Sequence, residues 1–501
     1  MDAYERLRSL GMFRMRPGLG RIRRILKELG GPQTKKPSIL IGGTNGKGST
    51  CYMCGSILQE AGLECCIYTS PHLERLTERL LVRGKEVDPG LLERGLERVF
   101  EVIDRAGDLD RSTYFEVLTA ASFLISAEEG TDVLISEVGL GGKYDATNVL
   151  EPIAVGITSV SLDHQNVLGD DVVEIALQKA GIIKPVTPVV VGPVWRGDRE
   201  ELRALKAVLD SCMENGCPVV LVDPEPTEKK LDYLISGMDL PDWRLVSPRE
   251  VDVEKGQCFK FDVSSPEDPP SPYRPFSVLD MSAGRSFNIG LNGVHQIYNS
   301  AVALSLCLIS YPSLNDHLRT IKGDRGAFSR LMSDPAGSQV AERDWGHLFG
   351  AAHGGLMKVT MRARLEEFEV DGRRILLDSS HNIEAADSLN DHLMRTYPDE
   401  KVDLLFTMMR DKDPAGYLSR VGGRLRSITL TDMGSERGFS PSEMLPLIVP
   451  ALRSGPDIHI RPHLEDATLH WFHLIGKGGI GVSSGTSYTY GRVKELLTMS
   501  E

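Results

Sequence analysis

The chain has 501 residues, a formal net charge of -13 and a pI near 5.5. Its length exceeds one ordinary hydrophobic core, so two domains or a few more are expected. The acidic balance excludes a general nucleic-acid binder or a protein held on anionic membranes, since both need net basic surface. No apolar run approaches the ~20 residues of a membrane span. The charged opening MDAYERLRSLG does not read as a signal peptide, so a cytoplasmic protein is expected. Cys51-x-x-Cys54 has no second pair to complete a zinc site, and Cys65 and Cys66 fall in a predicted strand. Buried thiols are therefore expected.

In chain order, helical patterns over 4–10 and 19–29 flank a turn at Arg16-Pro17-Gly18 and lead to ILIGGTNGKGST at 39–50. That stretch is an apolar strand, a Gly-rich turn and a new helix over 51–58, a combination that cradles phosphate. Gly43, Gly46 and Gly48 let the backbone approach an anion, the helix adds its positive end, Lys47 supplies a point charge, and Ser49 is left for a phosphate or Mg2+. The general phosphate-loop pattern has Ser or Thr directly after Gly-Lys, whereas Gly48 intervenes here. A second strand over 63–69 ends at Ser70-Pro71-His72-Leu73, where Pro71 enforces a turn. An apolar stretch over 80–82, helices over 89–105 and 112–126, and strands over 132–136 and 153–160 follow. These two strands end at Glu137 and at Leu162-Asp163-His164. A helix over 172–180 and a strand over 188–191 complete the run.

Alternating strands and helices predict a parallel, doubly wound α/β sheet with its ligand site beyond the carboxyl ends of the strands. Lys47, Ser70, Glu137 and His164 each follow a different strand, so four strand ends aim phosphate-binding or hard-ligand groups at one edge. Segment 192–285 reads as an elaborated surface region with a few strands such as 257–263, and 314–356 as a charged, Gly-rich linker with an insertion. Between them order resumes over 287–291, and an apolar helix runs from Gly293 to about Ser310. A smaller α/β domain follows over 357–501, with strands over 375–378, 402–407, 427–431, 458–460 and 480–483. Helices over 384–396, 414–425, 441–452 and 464–474 separate them. The predicted organisation is thus a central domain over 1–313, the linker, and a C-terminal domain whose polar groups crowd one strand end at Asp378-Ser379-Ser380-His381-Asn382.

Taken together, these motifs make the sequence similar to the folylpolyglutamate synthase/dihydrofolate synthase family of Mur-type ATP-dependent ligases. The resemblance rests on GTNGKGS at 43–49, SPHL at 70–73 with ER at 78–79, TYFE at 113–116, EVGLGGKYDATN at 137–148, TSVSLDHQNVLG at 158–169 and QKAGIIKP at 178–185. It continues through GVHQIYN at 293–299, DSSHN at 378–382, DKD at 411–413 and GTSYTYG at 485–491. It implies a P-loop ATPase domain joined to a Rossmann-like C-terminal domain. The implied reaction phosphorylates a carboxylate with ATP and passes the acyl phosphate to the amino group of L-glutamate.

By the resemblance, Asn45, Gly46, Lys47, Gly48 and Ser49 hold phosphates, with Asn299 at adenine and Arg364 and Asp378 at phosphate and ribose. Ser70, Glu137 and His164 ligate Mg2+, and Lys179 is carbamylated to serve a second metal; the bland alternative is a solvent-facing helix lysine. Lys47, His164 and Lys179 are the implied catalytic groups. Thr113, Tyr114, Phe115, Glu116, Tyr144, Asp145 and Ala146 line a pocket for a pterin-linked acid, aromatic faces suiting a flat heterocycle, and His381 adds to the substrate site. Departures stand at Gln178, where the family has Glu, at Thr77, where it has Asn, and at Met361-Arg362-Ala363-Arg364, where it has Trp-Pro-Gly-Arg. A Mur-type ligase acting on another acid or a modified pterin, and a nucleotide-dependent switch without ligation, are the alternative functions. The expected partners are small molecules acting on a monomer, without nucleic acid or membrane.

Overall fold

The computed structural model describes residues 1–12, 16–107, 109, 111–192, 197–235, 238, 240, 242–251, 257–264, 284–321, 339–452 and 455–498. They form two compact units. The first comprises Met1–Leu162, Leu168–Ile289 and Ile297–Val359, and the second Asp163–Val167, Gly290–Gln296 and Thr360–Glu501.

Eleven strands build the first sheet: β1 (Ser38–Gly42), β2 (Cys65–Tyr68), β3 (Leu80–Val82), β4 (Lys85–Glu86), β5 (Val133–Glu137), β6 (Ala154–Ile157), β7 (Val189–Val191), β8 (Val219–Val222), β9 (Trp243–Val251), β10 (Gln257–Ser264) and β11 (Arg285–Ile289). Their order is β11-β10-β9-β8-β7-β6-β1-β5-β2-β3-β4. The centre is parallel, with Leu40 opposite Ser136 on β5 and Gly42 opposite Ile157 on β6, while both edges turn antiparallel. β1 is buried on both faces, as SILIG requires of a parallel strand covered by helices. The first turn of helix Lys47–Glu60 therefore begins at the carboxyl end of the central strand.

The second sheet runs β12-β13-β17-β14-β15-β16, with β12 (Glu366–Val370), β13 (Arg373–Leu377), β14 (Val402–Phe406), β15 (Leu425–Leu430), β16 (Asp457–Ile460) and β17 (Ile480–Ser484). All its pairings are parallel except β12 with β13. The α/β class read from the sequence is what the chain adopts.

Three readings need correction. Segment 192–285 is more than surface elaboration, because helix Arg199–Glu214 and strands β8 to β10 extend the sheet itself. The latter half of the 314–356 segment is a helix, Gln339–Lys358, packed against Lys47–Glu60. Small residues permit that approach: a Cβ on Gly355 would lie 2.7 Å from the Ile57 backbone, and Ser56 Oγ donates to Gly355 O at 2.8 Å. The rest of both segments (193–196, 236–237, 239, 241, 252–256, 265–283, 322–338) lies outside the described residues. Lastly, helix residues Val294–Leu314 are long and apolar enough to cross a membrane by length and composition. Of that apolar stretch, 78% is buried inside the protein, so it reads as a core helix. All eight cysteines are buried and unbridged, as expected, and burial holds the Cys51, Cys54 and Cys66 thiols above their ordinary pKa.

Candidate active site

The phosphate loop is tightly determined. Gly43 has φ +139°, and a Cβ there would lie 2.0 Å from Thr158 Oγ1. Gly46 caps the helix at φ +82°, with Asn299 Oδ1 only 2.3 Å from where its Cβ would stand. Both positions need glycine, because left-handed backbone and missing space coincide. The loop is also tied to the end of β6: Thr44 N–H donates to Ser159 O at 2.7 Å, and Asn45 N–H donates to Ser159 Oγ at 3.1 Å. Lys47 Nζ lies back across the loop and donates to Thr44 O at 2.9 Å. Ser49 is buried in the first helical turn.

Lys179 belongs to this loop and is no solvent-facing lysine. It is 3% exposed and its Nζ donates to Gly43 O at 2.8 Å. Helix Val172–Ala180 reaches the loop because Gly142 and Gly181 let 139–143 press onto its end, where Lys143 N–H donates to Gln178 O at 2.8 Å. Lys47, Lys179, Asn45 and Asn299 thus converge on 43–46.

Ser70 and Glu137 also meet. Glu137, the last residue of β5, is buried and accepts the Ser70 N–H through Oε2 at 2.9 Å. A buried carboxylate at a strand end, with a serine backbone held against it, offers oxygen that fits a hard cation such as Mg2+. Among the described residues no group of three or more His, Cys, Asp or Glu could hold a metal. Any ion here would therefore complete its shell from other donors.

On the acid side, Thr113 and Glu116 form a capping box on helix Tyr114–Glu128, and Arg21 pairs with the buried Glu116 at 3.1 Å. Asp145 is buried and accepts from Leu140 N–H at 2.9 Å and Thr147 Oγ1 at 2.6 Å, shaping the Gly139–Gly142 loop. Burial raises its pKa, and the hydrogen bonds from Thr147, Leu140 and Gly139 work against that rise. Tyr114 and Ala146 are buried. Phe115 is half-buried and stacks on Tyr68 with centroids 6.1 Å apart, while Tyr144 is 50% exposed, its ring 5.5 Å from Lys143 Nζ. Two of these seven residues, Phe115 and Tyr144, thus present aromatic surface, while Thr113, Glu116 and Asp145 hold backbone in place.

The second unit gathers Arg364, Asp378 and His381. Asp378 accepts the N–H groups of Leu365 (3.1 Å) and Ser380 (3.3 Å), and Arg364 bonds Ser379 Oγ. His381 Nδ1 donates to Ser379 O at 2.8 Å, which leaves Nε2 as the acceptor. Burial, then the nearby Lys412 charge, lower its pKa to about 4, so the ring is neutral at physiological pH. Arg364 sits between two non-glycine residues with left-handed backbone, Ala363 (φ +55°) and Leu365 (φ +48°).

Several contacts of this unit carried no local signal in the sequence. Lys412 forms a buried ion pair with Asp163, which also accepts from Asn382 Nδ2 at 3.4 Å. Burial pushes Asp163 up, but Lys412, His164 and His381 outweigh it and hold the carboxyl below its usual range. His164, at φ +51°, has Nδ1 3.4 Å from Asp411 Oδ2 and Nε2 3.4 Å from Lys412 Nζ. DKD at 411–413 was visible as a motif, but its partners lie about 250 residues away (|i−j| 248 and 249). His295 is a further find: its buried Nδ1 has no partner, and the Asp378 and Arg364 charges act on its ring.

No protein-family profile matches the chain. A dihydrofolate synthase/folylpolyglutamate synthase of Mycobacterium tuberculosis is 27% identical over 471 residues, 91% of this chain and 82% of that protein. One of Bacillus subtilis is 40% identical over 193 residues, 38% of this chain and 45% of that protein. The chain is thus similar to folylpolyglutamate synthases/dihydrofolate synthases. The crystallised M. tuberculosis folylpolyglutamate synthase complexed with ADP superposes with a TM-score of 0.76 at 24% identity. That superposition covers 99% of this chain and 98% of the other, which establishes the fold. The first curated relatives of the family are matched over only part of their length, 23% to 45% of each.

Proposed function

We propose that the protein is an ATP-dependent ligase that joins L-glutamate to a pterin-linked carboxylate through an acyl phosphate. The observation that carries this reading is the convergence of Lys47, Lys179, Asn45 and Asn299 on a glycine-constrained loop at the end of β1. ATP and the acid are both anions, so approach requires charge neutralisation, and orientation supplies much of the remaining acceleration. Asn45, Gly46, Gly48 and Ser49 present loop and helix-terminal donors to the phosphates, and Lys47 swings from Thr44 O onto the transferring group. Asn299 is the proposed adenine contact, and Arg364 and Asp378 are the proposed phosphate and ribose contacts.

Ser70, Glu137 and His164 are the proposed Mg2+ ligands, joined by a carbamylated Lys179. The ion would neutralise phosphate oxygens during transfer. Carbamylation leaves Lys179 one N–H for Gly43 O while converting its positive charge to a negative one. Phe115 and Tyr144 would face the heterocycle, with Thr113, Tyr114, Glu116, Asp145 and Ala146 shaping the pocket, and neutral His381 would accept from an ammonium or hydroxyl of substrate. We place the enzyme in the cytoplasm as a monomer acting on small molecules, without nucleic acid or membrane, a reading that its net charge of -13 supports.

Phosphate release measured with dihydropteroate, with tetrahydrofolate and without acid, each with and without L-glutamate, tests the proposal. Release that needs both acid and glutamate, and is abolished by Lys47→Ala, supports a ligase. Equal release without either substrate identifies a nucleotide switch and overturns it.

A further inference from the structure

Arg79 ends the short 3-10 turn Leu76–Arg79 that leads from the Ser70 loop into β3. It is 5% exposed, and among the described residues its one side-chain hydrogen bond runs from Nε to His72 Nδ1 at 2.9 Å. No carboxylate pairs with it among the described residues. The adjacent Glu78 is turned to another task, accepting the N–H groups of Leu73, Glu74 and Arg75 at 2.8, 3.2 and 2.9 Å. A guanidinium does not shed its proton in a protein, so a buried one without a counter-charge is an unfavourable feature for a fold to keep.

The surroundings say what would complete it. Thr69 N–H donates to Arg79 O at 2.8 Å, fixing Arg79 beside the residue that precedes Ser70, whose N–H bonds Glu137. On its other side the guanidinium carbon lies 5.8 Å from the centroid of the Tyr114 ring, next in sequence to Phe115, which stacks on Tyr68. The guanidinium therefore lies near the Tyr114 ring, on a residue whose backbone adjoins the segment carrying Ser70. His72 fixes its orientation through Nε and leaves the two terminal nitrogens, the fork that grips a carboxylate bidentately, without a hydrogen bond.

We propose that Arg79 is the binding residue for a carboxylate of the acid substrate, an aromatic acid whose ring lies against the exposed part of Phe115. This rests on the ligase reading above and adds to it the group that recognises the acid. Glu78 and His72 act as positioning residues, one shaping the loop and the other orienting the fork.

The test compares wild type with Arg79→Gln and Arg79→Lys in the full chain, measuring KM for acid, ATP and glutamate together with the melting temperature. A lost charged hydrogen bond raises the acid KM of Arg79→Gln about tenfold or more. KM for ATP and glutamate stays within about twofold. Arg79→Lys keeps the charge without the fork and falls between. Because the removed charge had no ionic partner, the melting temperature of Arg79→Gln does not fall. A second measurement, titration with 4-aminobenzoate as an aryl carboxylate lacking pterin and glutamate, separates the site from the reaction. Arg79-dependent binding supports the anion site even if no ligation is found, in which case the ligase reading alone fails. An unchanged acid KM in a folded Arg79→Gln, a rise confined to ATP or glutamate, or 4-aminobenzoate binding that ignores the substitution overturns the proposal.

Discussion

Gly46→Ala tests whether the phosphate loop is held by the clearance between its backbone and Asn299. Gly46 sits at φ +82°, ψ -10°, where an L side chain costs about 1–2 kcal/mol. The new Cβ would also stand 2.3 Å from Asn299 Oδ1 and 3.0 Å from its Cγ. Asn299 must therefore rotate out of its position, adding roughly 0.5–1.5 kcal/mol for an off-rotamer side chain. The sum is about 1.5–3.5 kcal/mol, more than tenfold in the ratio of folded to unfolded chain. The two contributions are separable. In an Asn299→Ala background the clash vanishes and only the backbone term survives, so the double-mutant cycle shows a coupling of about 0.5–1.5 kcal/mol. Urea unfolding of the four chains measures the cycle, and calorimetric titration with a non-hydrolysable ATP analogue shows whether the displaced loop also loses nucleotide. A Gly46→Ala chain as stable as wild type, or a penalty of equal size with and without Asn299, would refute the reasoning.

Three further outcomes follow from the geometry. Ala363→Gly relieves a φ of +55° beside Arg364 and stabilises the chain by about 1 kcal/mol in urea unfolding; no gain would mean that the turn carries no strain. Lys412→Met leaves Asp163 buried without its cation and costs about 3–5 kcal/mol at pH 7. The sign of its pH dependence is diagnostic. In wild type the Asp163 pKa is depressed, so its contribution is complete above the unfolded value near ~4 and is lost as pH falls through the folded value. Without Lys412 burial raises the pKa, and the variant instead gains stability as pH falls toward 4; parallel stability curves for the two chains would refute the assignment. For Lys179, removing dissolved CO2 should lower ligation and bicarbonate should restore it, with Lys179→Ala losing most activity and acetate returning part of it. A Lys179→Ala chain with near-normal kcat would show an ordinary buried lysine.

What could be read from the sequence, and what could not, divides along the range of the interaction concerned. The strand, turn and helix around 43–48 were legible because strand, glycines, lysine and helix start are consecutive, and backbone geometry follows from them. Helix Gln339–Lys358 was not, because the glycines interspersed among its buried Leu348, Ala352 and Leu356, Gly355 among them, imitate a linker. Edge strand β12, Glu366–Val370, was missed for a related reason: alternate residues face solvent, so EEFEV reads as charged. Thr113 and Glu116 did carry a readable local signal, Thr-x-x-Glu ahead of an apolar run, which is the pattern of a capping box.

The ion pair of Asp163 with Lys412 shows the opposite limit. Neither residue differs locally from a surface charge, and only the fold brings them together and removes their water. Arg79 lies between these cases. Glu-Arg at 78–79 is visible in the sequence, and the natural expectation for adjacent opposite charges is mutual neutralisation. The structure gives the carboxylate to three backbone N–H groups and the guanidinium to a neutral imidazole nitrogen. A charge that the fold buries and leaves without an ionic partner is one that a ligand can use, and that distinction is invisible until the hydrogen bonds of both neighbours are known.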